Sequence, residues 1–247
     1  EDLIAKEADF LKEIENAFFP GNFKENTDAA YEKIKAIAAQ MIGNEINPED
    51  KVTLKNTIPI TWPSHRMREY GKRATSYDLK LLLIPKNGAF QPIERSISIL
   101  GGYGGYSGAG FGRIVGLLAH EYGHAISFFL GLEKKKKWFN SCLKNIDPSM
   151  KDLYEEEVIA DWYTVEIVAN YLKQMKPPMG EEERKAFLVN AAVNLCEDLS
   201  LYDPHADTHP RQDIRSNKIW MAHPYLREII GCANDSTPKR CPSIGAD

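Results

Sequence analysis

"LLAHEYGHAISFF" (residues 117–129) sets two histidines four positions apart in an otherwise apolar run, with a glutamate directly after the first. Residues i and i+4 of an α-helix lie one turn apart on the same face, so His120 and His124 can aim two imidazole nitrogens at one point about 2 Å from each, the bond length zinc prefers. Glu121 leaves the helix about 100° around from His120, where it can address a water at that point without binding the metal itself. This is the HExxH arrangement. A chance copy arises in roughly one chain in a hundred of this size, and it belongs on a polar surface, because burying two histidines and a glutamate costs several kcal/mol unless they are paired or coordinate something. Here the flanks "IVGLLA" and "AISFFLG" are among the most apolar in the chain.

A catalytic zinc takes three protein ligands and keeps one position open, and "EEEVIADW" (155–162) supplies the third. Glu157, Ala160 and Asp161 form ExxAD on a second predicted helix, 33 residues after His124. That interval lets the first helix end at Gly131 and the chain return antiparallel. Glu157 then completes a His2Glu set for one zinc ion per chain, and Asp161, one turn on, orients a ligand histidine or another polar group. Glu155 and Glu156 read as solvent-exposed neighbours.

A third motif follows in "THPRQDIR", where His209 precedes Arg215 by six residues. In this order the three motifs resemble the gluzincin metallopeptidases, the thermolysin-like branch of the zincins, over residues 113–215. The H-x5-R element is similar to that of the neprilysin-type family and, through its "HP" start, to that of the CAAX-prenyl-protease-like family. The resemblance implies that His209 hydrogen-bonds the oxyanion and Arg215 braces the site. It also implies an edge strand above the HExxH helix that binds extended substrate, with the strand "RSISILGG" (95–102) as candidate and a plain structural strand as the alternative. Tyr103 and Tyr106, on the glycine-rich segment 101–112, then either line the substrate cleft or simply pack that loop.

The implied fold class is α+β and zincin-like. An N-terminal lobe (1–131) carries a small mixed sheet and the active-site helix, and a helical C-terminal lobe (132–247) completes one catalytic domain. Periodicity fits this outline. "EDLIAKEADFLKEIENAFF" (1–19) and "TDAAYEKIKAIAAQMIG" (27–43) read as a helical hairpin, the second helix capped by Thr27 or Asp28. "YDLKLLLIP" (77–85) and "RSISILGG" read as strands, and 152–175 and 181–199 as helices parted by "KPPMG".

Composition narrows the function classes. The chain has 247 residues, 43% of them hydrophobic, enough for a sizeable core. Its net charge is −4, and its basic residues are scattered apart from "EKKKKW" (133–138), read as a solvated loop, so nothing marks a nucleic-acid partner. The longest apolar stretch is broken at its centre by His120, Glu121 and His124, which argues against membrane insertion. The glycine-rich segment spells no nucleotide-binding motif. None of the four cysteines forms a CxxC pair; a Cys232–Cys241 bridge and an exported, secreted or periplasmic protein are expected, with buried free thiols as the alternative.

The expected activity is zinc-dependent hydrolysis of peptide bonds in a peptide or protein substrate, with Glu121 as general base. Endopeptidase action is expected because no GxMEN-like anchor for a substrate amine is present. A non-catalytic zinc-containing binding protein is the alternative; it needs a fourth ligand, which only the segment with His205 and His209 offers. Asp203, His205, Asp207 and His209 alternate along that segment, so a second metal there is an open reading beside His209 acting alone. His65 and His223 lack partners at useful spacing and read as surface or capping residues.

Overall fold

The helix that carries the two histidines is apolar around most of its circumference, and a helix of that kind must be enclosed by other elements. In the computed structural model, which describes residues 13, 16, 19, 21–42, 46–62, 88–99, 111–193, 208–232 and 239–243, it is enclosed on several sides. The elements in chain order are α1 (Phe23–Met41), α2 (Pro48–Thr57), β1 (Ile60–Thr61), β2 (Gly88–Gln91), β3 (Ser96–Ile99), α3 (Gly112–Leu130), α4 (Leu132–Ser141), α5 (Glu155–Lys173), α6 (Glu181–Ala191) and α7 (Pro224–Ile229). Between α6 and α7 runs a helical segment, Gln212–Ile214, that widens into a π-helical turn at Arg215–Ile219 and tightens at Trp220–Ala222. The fold is therefore mostly helical with one small mixed sheet, an α+β arrangement.

α3 is the axis. α5 packs along it, α6 and α1 cover its other faces, and β2 and β3 lie against it. Two close approaches set these distances. At Gly116 an added Cβ would fall 2.2 Å from the backbone oxygen of Ala191 on α6, and at Gly123 it would fall 2.6 Å from that of Ala160 on α5. Gly123 lies inside HExxH and Ala160 inside ExxAD, so the two motifs meet backbone to backbone through their smallest residues. The buried apolar side chains form a single cluster that runs from Phe19 to Cys241.

The sheet has the order β1-β3-β2, with β1 parallel and β2 antiparallel to β3. The strand expected at 95–102 is thus β3, but it is the central strand, paired on both sides; the strand with one neighbour among the described residues nearest the histidine helix is β2. A short "GAFQ" run carries too little alternation to be read as a strand without its partner. The expected strand at 77–85 and nearly all of the expected first helix lie outside the described residues.

Four further expectations are corrected. α1 begins at Phe23, not after a Thr27 or Asp28 cap; Thr27 is buried and its hydroxyl donates to the Phe23 carbonyl one turn back. The lysine run is not a loop but the body of α4, in which Lys135 turns inward to pair with Glu156, itself bonded to Ser127 of α3. His223 is buried, not on the surface, and although it precedes α7 its side chain makes no cap bond.

The disulfide joins Cys142 to Cys241, not Cys232 to Cys241. Cys232 is exposed and free. The physical reason is packing: Trp138 and Trp162, stacked edge-to-face at 5.0 Å, donate their indole N–H groups to the carbonyls of Pro242 and Cys241, which seats the C-terminal segment beside the end of α4.

Candidate metal centre

α3 delivers His120 and His124, and α5 delivers Glu157 across the Gly123–Ala160 contact. The Nε2 atoms of the two histidines are 3.2 Å apart, and Oε2 of Glu157 lies 3.2 Å from the first and 3.4 Å from the second. Ligand atoms bonded tetrahedrally to zinc at about 2.0–2.1 Å sit about 3.3 Å from one another, so this near-equilateral triangle has the edge length of such a set. Among the described residues, these three form the group of histidine, cysteine and carboxylate ligand atoms close enough together to share a metal ion.

Oε2 of Glu157 is buried and has three imidazole nitrogens around it, from His209, His120 and His124, at 2.8, 3.2 and 3.4 Å. A buried carboxylate is costly unless positive charge stands beside it, which protonated imidazoles or a bound cation would supply.

Beneath the triangle lies a buried relay. Asp161 Oδ1 faces Nδ1 of His120 at 3.1 Å, which fixes the ring and leaves Nε2 for the site. The same carboxylate takes a bidentate pair from Arg215, at 2.6 Å from Nε and 2.8 Å from Nη2, and Nη1 of that guanidinium donates to Gln212 Oε1 at 3.1 Å. Arg215 therefore braces the site from behind, through Asp161, at the start of the π-helical turn.

The charges answer to these contacts. Burial works against the charged form of His120, but hydrogen bonds to Asp161 and Glu157 and the nearby carboxylates outweigh it and push the pKa up to about 10. Burial would raise Glu157, yet the surrounding imidazoles hold it well below the usual carboxylate range. Asp161 is likewise raised by burial and brought far down by Arg215 and His120. A divalent cation held at Nε2 of His120 would stand where a proton otherwise would and would supply the positive charge that these carboxylates favour.

Glu121 follows His120 directly on α3. It is buried, and its Oε2 accepts a hydrogen bond from the backbone N–H of Phe90 on β2 at 2.7 Å. His209 comes to the site from the segment before Gln212. Its Nε2 lies 2.8 Å from Glu157 Oε2, and its ring stacks at 6.4 Å on that of His120. It is not one of the compact ligand trio.

The structure thus brings together His120, His124, Glu157, Asp161, His209 and Arg215, while Glu121, next to His120 on α3, bonds to β2. Tyr103, Tyr106, Asp203, His205, Asp207 and His65 lie outside the described residues. Sequence reasoning missed Phe90, which acts through a backbone group that no side-chain pattern signals, and Gly123, whose role was carried by the unassigned positions of HExxH. Comparison with protein-family models, curated proteins and solved structures finds no match.

Proposed function

We propose that the protein is a zinc metallopeptidase of gluzincin type on a zincin-like scaffold, holding one zinc ion through His120, His124 and Glu157. The observation that carries this reading is the triangle of two Nε2 atoms and one buried Oε2 with sides of 3.2, 3.2 and 3.4 Å. When bound there, zinc supplies Lewis acidity and brings the pKa of a water near 7. The chain's own residues do the rest. Glu121 accepts the water's proton and returns it to the leaving amine. His209, half-exposed beside Glu157, turns to the substrate carbonyl as the charge on its oxygen grows. Asp161 and Arg215 keep His120 in the tautomer that offers Nε2.

The compact trio supplies three ligand atoms, and His209, whose Nε2 lies 2.8 Å from Glu157 Oε2, acts in this reading as an oxyanion donor and not as a fourth ligand. Substrate is an extended peptide or protein segment, cut internally. Among the described residues no helix is long and apolar enough to cross a membrane. The Cys142–Cys241 bridge supports an exported protein.

The test is metal content with activity. Purified protein should carry one zinc per chain by mass spectrometry, cleave an unfolded substrate such as casein, lose that cleavage to a chelator and regain it with added zinc. His124→Ala should lose the metal. Stoichiometric zinc in His124→Ala refutes the ligand set.

A further inference from the structure

β2 runs along the histidine helix and touches it at three levels. At Gly88 an added Cβ would fall 3.1 Å from the Leu117 side chain. One turn of α3 further on, the Phe90 N–H meets Glu121 Oε2 at 2.7 Å. Two turns beyond that, the half-buried Phe90 ring lies 6.0 Å from the ring of Phe128, which is 46% exposed on the outer side.

Phe90 opposes Ile97 of β3, but the two exchange no backbone hydrogen bond: the Ile97 N–H donates to the Pro59 carbonyl at 2.9 Å, and the Phe90 N–H goes to Glu121. Antiparallel ladders alternate bonded and non-bonded pairs, and Phe90 occupies a non-bonded one. Its N–H therefore holds nothing in the sheet.

We propose that Phe90 is a positioning residue for the general base. Its backbone N–H pins Oε2 of Glu121 and so assigns Oε1 as the oxygen that takes the proton, while its ring, against Phe128, keeps β2 registered on α3. The inference rests on reading Glu121 as the base of a peptidase. The terminal carboxylate torsion of glutamate is broad and has no sharp rotameric preference, so an unrestrained Glu121 would sample many orientations. A charge-assisted bond from a donor built into a strand restricts it to one, at no cost to sheet pairing.

The experiment compares wild type with Phe90→Pro and Phe90→Leu. Proline removes the N–H and puts ring carbon in the direction of Glu121, yet it takes no bond from the ladder and is tolerated on a strand edge. Leucine keeps the N–H and most of the apolar contact. On a fluorogenic peptide, Phe90→Pro should lower kcat by about 10- to 100-fold. KM should stay within about twofold and zinc content should be unchanged, and Phe90→Leu, which keeps the N–H and loses only the ring contact, should lose far less kcat than Phe90→Pro. An undiminished kcat in the proline variant, or an equal loss in the leucine variant, overturns the proposal.

A second arm needs no turnover. Urea midpoints are measured for wild type, Phe90→Pro, Glu121→Ala and the double variant; the shift caused by proline should shrink when Glu121 is absent. Equal shifts in both backgrounds overturn the contact. Coupling in a wild type that cleaves nothing supports the contact and defeats the peptidase reading, whereas cleavage without coupling does the reverse.

Discussion

Replacing Gly123 with alanine should perturb the proposed metal centre without touching any of its three proposed ligands. The new Cβ would lie 2.6 Å from the Ala160 backbone oxygen and 2.9 Å from its Cα, whereas ordinary contact begins at 3.4 Å. Backbone atoms in the middle of a helix cannot rotate aside, so α3 and α5 must part by the shortfall between 2.6 and 3.4 Å, about 0.8 Å. Gly123 adjoins His124, and Ala160 lies between Glu157 and Asp161, so most of that displacement appears in the histidine-to-glutamate spacing. A separation of 3.2 Å would open to about 4 Å, while a metal site tolerates only about 0.2 Å per bond. Zinc affinity should fall by at least about 100-fold, beyond the usual effect of a group behind the ligands, and folding stability by about 1–3 kcal/mol. A chelator-competition titration with a urea melt reads both. Gly180→Ala is the control, because the nearest atom to its Cβ is the Glu183 carboxylate at 3.7 Å. Wild-type zinc affinity in Gly123→Ala would refute the idea that this contact sets the ligand spacing.

Arg215→Met strands the buried Asp161 carboxylate and should cost about 3–5 kcal/mol in urea unfolding, much of it recovered in Asp161→Asn/Arg215→Met. Unfolding that barely shifts would show the pair to be dispensable. Cys142→Ser opens a bridge whose partners are 99 residues apart, worth about 4–5 kcal/mol in the chain-entropy model, while Cys232→Ser should be neutral; peptide mapping that finds Cys232 linked to Cys241 contradicts both. Burial, then Arg240 and Lys173, push the His223 pKa down to about 4. The unfolded state then binds the proton first, so stability is complete above about pH 6.5 and declines as pH falls towards 4, by about 1–2 kcal/mol after allowance for solvent screening. His223→Gln should flatten that slope in pH-dependent unfolding, and an unaltered slope assigns it to other groups.

The helices α3 and α5 and the proximity of the trio they carry were legible because two histidines and a glutamate at helical spacing conflict with their apolar surroundings. Asp161 was legible as the polar group one turn beyond Glu157 that meets a histidine of the trio. Its pairing with Arg215 was not, because the two are 54 residues apart and only the packed fold brings them together. The same holds for Cys142 and Cys241. The lysine run misled because four like charges suggest a solvated segment, yet one stem of the four turns inward and carries its ammonium to Glu156. Phe90 was invisible for a different reason. It contributes a backbone N–H, which every residue but proline possesses, so position in the sheet and not residue type creates its role.

The central claim is that Glu121 moves a proton beside a metal held by His120, His124 and Glu157. Casein cleavage by wild type and by Glu121→Gln, each with zinc content verified at one per chain, tests it most directly. The account predicts an intact zinc site in both and a rate lower by roughly 10² to 10⁴ in the glutamine variant, which preserves shape but cannot accept the proton. A Glu121→Gln protein that cleaves as fast as wild type, or a zinc-loaded wild type that cleaves nothing, would contradict it.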